Sequence, residues 1–269
     1  MSLRCRGAIA IGLFPLNAQG IETLRTLEDF GPTVVRLNVF ETPADVARAA
    51  VEHFIAASRE AIATRGRFAV ALSGGSTPRK TYELLATEEL PWEAIHVFFA
   101  DERCVPTDDA RSNYRLIYES LISRVSLPPA NVHRMRGEVV PDTGARLYEA
   151  DLRTYFSNKE WPGFDLATLG LGVDGHIASL FRGTKALQET TAWVVANRAP
   201  DDLWRLTLTL PVINHSHSVL FLVTGADKAG AVSQTLREPS LTSGLPAQNV
   251  QPIAGECVWL MDKAAASSI

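Results

Sequence analysis

The segment Leu169-Gly-Leu-Gly-Val-Asp-Gly-His176 carries the residues best suited to chemistry, because it places a carboxylate and an imidazole two residues apart behind a short apolar run. Imidazole titrates near neutral pH and therefore transfers protons readily. In an open α/β sheet, ligands collect outside the carboxyl ends of the parallel strands. Asp174 and His176 are therefore predicted to face a binding crevice, and we expect a catalytic site there.

The glycines of this segment leave two other interpretations open. The G-x-G-x-x-G pattern of a dinucleotide-binding turn is satisfied by Gly170, Gly172 and Gly175. Against that interpretation, Asp174 would place negative charge where a pyrophosphate must sit, and Gly183 follows too soon for a full crossover helix. The plainer alternative is that the glycines form a tight strand-to-helix turn and that His176 is a core histidine.

A second motif, Ser73-Gly-Gly-Ser-Thr-Pro78, lies between an apolar run and an amphipathic segment. Small residues let backbone N–H groups approach an anion, and a helix N-terminus favours negative charge. The motif is therefore predicted to cradle a phosphate, although its spacing is not that of a Walker A loop. A helix capped by Ser or Thr after a glycine turn is the structural alternative.

Further polar and charged residues follow other predicted strands. Asp101-Glu-Arg103 precedes Ser112-Asn-Tyr114 and supplies the hydrogen-bonding groups that a polyhydroxylated ligand needs, unless it is a solvated loop whose ion pairs contribute little. Arg205 and Lys228 supply two cations near predicted strand ends or helix starts. Because Arg grips phosphate oxygens through two hydrogen bonds and Lys adds a compact charge, the pair suits a phosphomonoester. Both cations are surface residues in the alternative interpretation.

Strands that alternate with helices must position these residues. The apolar runs predict strands over residues 34–40, 68–72, 96–99, 165–169, 193–196, 205–210, 218–223 and 257–261. Helices are predicted from Thr42-Pro43, through Tyr82 to Leu85, and over residues 115–124, 144–156 and 228–236. This order predicts an α/β fold: a single Rossmann-like domain over residues 35–269, with a mainly parallel sheet covered by helices on both faces. Residues 1–34 form an N-terminal extension on which no fold argument rests.

Composition bounds the functional classes. The chain has 269 residues, of which 46% are hydrophobic and 21% charged, as in an ordinary soluble globular protein. A formal charge of −4 gives no electrostatic case for nucleic acid, so an anion site must be built locally. The three cysteines lack metal-ligand spacing, and no apolar run approaches the ~20 residues that span a bilayer. We therefore expect a cytoplasmic protein without a membrane partner or a nucleic-acid partner.

Several ordered motifs together resemble the 6-phosphogluconolactonase family, which is related to glucosamine-6-phosphate isomerases or deaminases. The resemblance runs from about Val34 to the C-terminus. Its landmarks are Ser73-Gly-Gly-Ser-Thr-Pro78, Asp101-Glu-Arg103 with Ser112-Asn-Tyr114, Gly172-Val-Asp-Gly-His-Ile-Ala-Ser-Leu-Phe181, Arg205-Leu-Thr and Gly225-Ala-Asp-Lys228.

The resemblance implies hydrolysis of 6-phospho-D-glucono-1,5-lactone to 6-phosphogluconate in the oxidative pentose phosphate pathway, without a metal or an organic cofactor. It implies that His176 is the general base that activates water and that Asp174 orients the water or the substrate. Asp101 and Arg103 are implied pocket residues. The implied phosphate ligands are Ser73, Gly74, Gly75, Ser76, Thr77, Arg205 and Lys228.

Two positions favour a lactonase over the related deaminases. The deaminases typically continue the histidine motif as Ile-Ala-Phe-Asn-Glu, whereas this chain has Ile177-Ala-Ser-Leu-Phe181, and they usually show Asp-Glu-Tyr in place of Asp101-Glu-Arg103. Arg182 departs from the lactonase pattern, which commonly has Pro there. A deaminase or isomerase and a non-catalytic phosphosugar sensor remain the alternatives, and the protein is expected to be a monomer or a small homo-oligomer.

Overall fold

The computed structural model describes residues 22–23, 34–157, 159–237 and 244–269. The strands in this part of the chain are β1 (Glu22–Thr23), β2 (Val34–Phe40), β3 (Phe68–Leu72), β4 (Ile95–Phe99), β5 (Asp101–Arg103), β6 (Val132–His133), β7 (Leu166–Leu169), β8 (Val194–Arg198), β9 (Trp204–Leu208), β10 (Ser218–Val223) and β11 (Glu256–Asp262). The α-helices are α1 (Pro43–Arg65), α2 (Ser76–Leu85), α3 (Asn113–Ser120), α4 (Pro141–Tyr155), α5 (Leu210–Asn214) and α6 (Ala229–Leu236). Short 3-10 helices occupy Trp92–Ala94, Ile122–Arg124, Pro129–Asn131, Lys185–Gln188, Ala226–Lys228 and Pro246–Asn249.

The larger sheet confirms the predicted α/β fold. Its strand order is β1-β2-β11-β10-β7-β3-β4-β6, and every described pairing is parallel except that of β1 with β2. Along the chain, β3, β4 and β6 extend the sheet in one direction, whereas β7, β10 and β11 extend it in the other. The order therefore reverses between β3 and β7, and such a switch point opens a crevice at the carboxyl ends of the strands.

Helices cover both faces of this sheet. Phe68 of β3 pairs in register with Ile95 of β4, and its ring packs edge-on against Phe54 of α1 with centroids 5.1 Å apart. Phe98 of β4 lies three residues beyond Ile95, so it points to the opposite face. There it contacts Tyr155 of α4, with centroids 5.0 Å apart. The two-sided burial explains why these strands are continuous apolar runs rather than alternating ones.

Helix α1 shows how local sequence sets an element's ends. The Thr42 hydroxyl accepts a hydrogen bond from the Asp45 backbone N–H, and the Asp45 carboxylate accepts one from the Thr42 N–H, which forms a capping box. Gly66 ends the helix with φ = 72°, a left-handed conformation that favours glycine. The predicted start at Thr42-Pro43 is confirmed.

A second, three-stranded sheet departs from the sequence prediction. Residues 193–196 and 205–210 were predicted as strands of one mainly parallel sheet, but β8 and β9 form an antiparallel sheet in the order β5-β9-β8. The link between β8 and β9 is only residues 199–203, which is too short for a parallel crossover. β9 also ends at Leu208, two residues early, because Pro211 lies in the first turn of α5.

The predicted N-terminal extension falls mostly outside the described residues, which include only β1 from residues 1–33. The division of the chain at residue 34 stays a prediction. Within the described ranges, no helix is long and apolar enough to cross a bilayer.

A pair of histidines, one on β4 and one on β6, gives a prediction for the pH dependence of stability. The His96 Nδ1 and His133 Nε2 atoms lie 3.3 Å apart. Burial, the charge of His133 and the charge of Arg67 lower the pKa of His96 from its ordinary 6.5 to about 4. The unfolded chain therefore binds more protons than the folded chain between these values. The contribution of His96 to the free energy of unfolding is present above pH 6.5 and is lost as the pH falls through about 4.

We expect His96→Phe to lose less stability than the wild type when the pH drops from about 7 to about 5, because phenylalanine cannot take up the proton. Urea unfolding at the two pH values measures the difference. His217→Phe is the control, since His217 is exposed and should leave the pH dependence unchanged. Equal pH dependence in His96→Phe and the wild type would contradict the prediction.

Candidate active site

A cleft of about 260 Å³ lies at the carboxyl ends of β3, β7 and β10, at the switch point of the large sheet. Most residues predicted for the site line it: Ser73, Gly74, Gly75, Ser76, Thr77, Asp101, Arg103, His176 and Lys228. Asp174 and Arg205 are not part of this lining. Asn113, Gly172, Ala178 and Thr224 line the cleft as well, and the sequence analysis assigned none of them to the site.

The histidine turn follows β7 directly. The Gly172 N–H donates to the His176 carbonyl at 2.9 Å, and Gly175 turns the chain with φ = 75°. A Cβ at Gly172 would collide with the His176 ring and with the Asp174 carboxylate. These two glycines therefore serve the turn itself. No α-helix follows within residues 170–190, so the helix N-terminus that a dinucleotide pyrophosphate needs is missing.

His176 is oriented by Asp174. The His176 Nδ1 atom lies 2.5 Å from Asp174 Oδ1, and the His176 backbone N–H donates to the same oxygen at 3.2 Å. Partial burial raises the pKa of Asp174, but the hydrogen bonds and the charge of His176 together hold this pKa below its usual range. An ionised carboxylate only accepts hydrogen bonds, so Nδ1 carries the hydrogen. In the neutral ring, Nε2 is then the atom with a free lone pair.

In the Ser73–Thr77 loop, the backbone N–H groups are better placed to bind an anion than the Ser73 and Thr77 hydroxyls, which contact other parts of the protein. The Ser73 hydroxyl donates to the Thr168 carbonyl at 2.7 Å and is buried, so it joins β3 to β7. The Thr77 and Thr224 hydroxyls lie 2.7 Å apart, which ties α2 to the end of β10. Gly75 precedes α2 and no side chain caps this helix, so its first backbone N–H groups lack a side-chain acceptor. Such an N-terminus favours an anion.

Two cations reach the cleft, and a third does not. Arg103 and Lys228 line it. Arg205 pairs in register with Arg103 across β5 and β9, but its side chain is buried and its Nη2 donates to Asp201 Oδ2 at 2.7 Å. The predicted phosphate role of Arg205 therefore stays a prediction, and the structure places the residue beside the cleft.

Asp101 lies in the cleft wall with both carboxylate oxygens engaged. Its Oδ2 accepts from the Ser179 hydroxyl at 2.6 Å, and its Oδ1 accepts from Asn113 Nδ2 at 2.9 Å. The residue is only 5% exposed. The substrate-binding role predicted for Asp101 is untested, and its observed contacts are with the protein.

Glu102 is a structural residue that the sequence did not reveal. Its carboxylate accepts hydrogen bonds from the Ser112 hydroxyl and from the backbone N–H groups of Arg103, Asn113 and Tyr114. Burial raises the pKa of Glu102, and these four hydrogen bonds oppose the rise. A carboxylate at the start of α3 also complements the helix dipole. Glu102 thus fixes the start of α3 relative to Arg103.

We expect Glu102→Gln to lower the free energy of unfolding by on the order of 3 kcal/mol, because an amide nitrogen would face backbone donors and leave buried N–H groups unpaired. Urea unfolding at neutral pH measures the loss. Glu119→Gln is the matched control, since Glu119 makes an exposed ion pair with Arg115 and should contribute little. Equal stabilities of the two variants would contradict the structural role.

The backbone after His176 is constrained. Ala178 has φ = 45°, a left-handed conformation that costs a non-glycine residue on the order of 1–3 kcal/mol. The next residue, Ser179, is almost fully buried and makes three hydrogen bonds. Its hydroxyl donates to Asp101, its N–H donates to Thr207 Oγ1, and its carbonyl accepts from Asn197 Nδ2. The three hydrogen bonds of Ser179 thus fix the chain directly after Ala178.

Asp262, at the end of β11, supports the turn that presents Lys228. Its carboxylate accepts from the Gly225 N–H at 3.1 Å and from the Ala265 N–H at 2.8 Å. Gly225 has φ = 101°, which favours glycine. No sequence motif points to Asp262, because its partner Gly225 lies 37 residues away in the chain.

Among the described side chains, no group of three or more His, Cys, Asp or Glu residues is placed to hold a metal ion. The described cysteines, Cys104 and Cys257, are free thiols, and Cys5 lies outside the described residues.

Known proteins resemble this chain in sequence and in overall fold. Residues 41–259 match the family model described as glucosamine-6-phosphate isomerases/6-phosphogluconolactonase. A 6-phosphogluconolactonase of Synechocystis sp. is 42% identical over 213 residues, which cover 78% of this chain and 88% of the relative. The crystal structure of 6-phosphogluconolactonase from Thermotoga maritima matches with a TM-score of 0.75 and 33% identity, and covers 86% of this chain and 100% of its own.

A third relative, 6-phosphogluconolactonase from Trypanosoma brucei, matches with a TM-score of 0.80 and 29% identity over 90% of this chain and 100% of its own. The family model spans α1 to the start of β11 and so includes the phosphate loop, the histidine turn and Lys228. The chain therefore belongs to the glucosamine-6-phosphate isomerase/6-phosphogluconolactonase family.

Proposed function

We propose that this protein is a hydrolase that converts 6-phospho-D-glucono-1,5-lactone to 6-phospho-D-gluconate, with His176 as the general base. The observation that carries the proposal is the His176–Asp174 pair, whose histidine lines the switch-point cleft together with the first residues of the uncapped helix α2. Relatives named 6-phosphogluconolactonase support the choice of substrate. The reaction belongs to the oxidative pentose phosphate pathway.

In the proposed reaction, His176 Nε2 takes a proton from a water molecule as that water attacks the lactone carbonyl. Asp174 holds Nδ1–H and stabilises the imidazolium that forms. The tetrahedral intermediate then collapses, the bond from C1 to the ring oxygen breaks, and the imidazolium returns its proton to that oxygen. Collapse leaves a hydroxyl at C5 and a carboxylic acid at C1, and the acid releases its proton to solvent to become the carboxylate. Because a lactone is an activated ester, no nucleophilic side chain is required.

The phosphate of the substrate would bind at the other end of the cleft. The N-terminus of α2 provides backbone donors, and Lys228 and Arg103 provide positive charge. Holding this remote group fixes the ring relative to His176, so the attack becomes effectively intramolecular. Arg205, which pairs in register with Arg103, would add positive charge for the phosphate from beside the cleft.

The cleft fits a lactonase better than a deaminase. The segment after His176 supplies Ser179, Leu180 and Phe181, which are all buried, so it contributes no acid that could assist ring opening. Asp101 is the single carboxylate that lines the described cleft, and its oxygens are engaged. We also propose a cytoplasmic location and a monomeric or small homo-oligomeric state.

The test is proton release in weak buffer after freshly generated 6-phosphogluconolactone is added, corrected for spontaneous hydrolysis. Acceleration by the wild type is the expected result. Ammonia release from glucosamine 6-phosphate without lactone hydrolysis would favour the deaminase instead. Binding of the lactone without turnover would favour a sensor.

A further inference from the structure

Three segments of the cleft converge on the buried carboxylate of Asp101. Ser179, three residues after the catalytic histidine, donates its hydroxyl hydrogen to Asp101 Oδ2 at 2.6 Å. Asn113, the first residue of α3, donates from Nδ2 to Asp101 Oδ1 at 2.9 Å. All three side chains are buried, with Ser179 and Asn113 each 1% exposed. The carboxylate thus joins the histidine turn to α3.

Asn113 extends this connection to the phosphate loop. Its Nδ2 also donates to the Asp101 carbonyl at 2.9 Å, and because both partners are acceptors, the orientation of the amide group is determined. Its Oδ1 therefore faces the opposite way, against Gly74, where a Cβ atom would collide with it. This oxygen is buried and has no hydrogen-bond partner. The amide oxygen of Asn113 therefore leaves no room for a side chain at Gly74.

The Ser179 end of the connection lies next to a left-handed residue. Ala178, with φ = 45°, lines the cleft between His176 and Ser179. A left-handed alanine persists only where neighbouring contacts hold it. Of the three hydrogen bonds that hold Ser179, the one to Asp101 uses its side chain, so a substitution can remove that bond and leave the backbone bonds in place.

We propose that Ser179, Asp101 and Asn113 form a positioning bridge that fixes the His176 turn relative to the Ser73–Thr77 phosphate loop. The three side chains act through this contact and not by touching the reacting atoms. The activity readout rests on the proposed lactonase function. Loss of the bridge should lower kcat more than it raises KM, because the phosphate still binds while the general base is misplaced.

The first test is Ser179→Ala, which we expect to lower kcat by about 10- to 100-fold, because an ångström-scale displacement of a catalytic group has effects of that size. KM should change by less than about twofold. Ser216→Ala is the matched control, because Ser216 is also a buried serine, lies just after α5 and has no hydrogen-bond partner for its hydroxyl. Its kcat should equal that of the wild type. Should Ser179→Ala fail to fold, Ser179→Cys retains a weak donor of similar size and should show an intermediate kcat.

A double-variant cycle tests whether the bridge acts as one unit. We expect Asn113→Ala also to lower kcat, and the double variant with Ser179→Ala to be no worse than the poorer single variant. Additive losses would mean that the two residues act independently and would overturn the proposal.

The imidazole resonances of His176, assigned with His176→Ala, give a readout that needs no activity. They should shift in Ser179→Ala and stay in place in Ser216→Ala. Wild-type kcat with unshifted resonances in Ser179→Ala, or a change in KM alone, would overturn the bridge. If the wild type hydrolyses no lactone but the resonances still respond, the proposed function fails and the bridge stands.

Discussion

His176→Ala is expected to lower kcat for 6-phosphogluconolactone by about 10²- to 10⁴-fold, the range that general-base catalysis contributes. The Nε2 atom is the proton acceptor in the proposed mechanism, since Asp174 occupies Nδ1. The ring is partly exposed and packs against Phe181, so its removal should leave the fold intact. Proton release measures kcat, and titration calorimetry with 6-phosphogluconate measures whether the cleft still binds a phosphorylated ligand.

His217→Ala is the control for this variant, because His217 is exposed and lies outside the cleft. Its kcat should equal that of the wild type. Asp174→Asn keeps the size of the carboxylate and removes its charge, so it should reduce kcat less than His176→Ala does. Near-normal turnover in His176→Ala, with normal folding, would exclude this histidine as the base.

The sequence predicts the large sheet well because its strands are buried on both faces. Residues 68–72 form an uninterrupted apolar run before a glycine pair, and the structure has β3 over the same residues. The small sheet escapes prediction because β5 consists of Asp101, Glu102 and Arg103, three charged residues that no strand propensity favours. Their strand conformation depends on pairing with β9, which lies about a hundred residues later in the chain.

In the candidate site, too, features set by neighbouring residues could be predicted, whereas features set by distant parts of the chain could not. The proximity of Asp174 and His176 could be predicted because local glycines dictate the turn that brings them together, and their catalytic roles stay a prediction. Arg205 could not be placed, because its side chain is buried and donates to Asp201, although the residue pairs in register with Arg103, which lines the cleft. Asn113 and Ser179 lie within motifs of the sequence, but their roles could not be predicted, because their shared partner, Asp101, is far from Ser179 in sequence.

The second large effect is expected for Lys228→Met, which should raise KM for the lactone by about 10- to 100-fold. A hydrogen bond to a charged group contributes about 1.5–3 kcal/mol, and each 1.4 kcal/mol is about a tenfold change in affinity. Methionine keeps much of the length of the lysine side chain and removes its charge. Because the phosphate is remote from the reacting carbon, kcat should change little.

The matched control is Lys80→Met, since Lys80 lies on α2 but is exposed, pairs with Glu83 and does not line the cleft. Lys80→Met also removes one positive charge, but outside the cleft. It therefore shows how much of the change in KM comes from the overall electrostatic field of the protein rather than from direct phosphate binding. Its KM should match the wild type. If Lys228→Met instead lowered kcat and left KM unchanged, the ammonium group would act at the lactone carbonyl, and the phosphate would have to bind at Arg103. Whether KM or kcat changes in Lys228→Met therefore decides whether Lys228 lies at the end of the cleft that binds the phosphate or at the end that holds the lactone carbonyl.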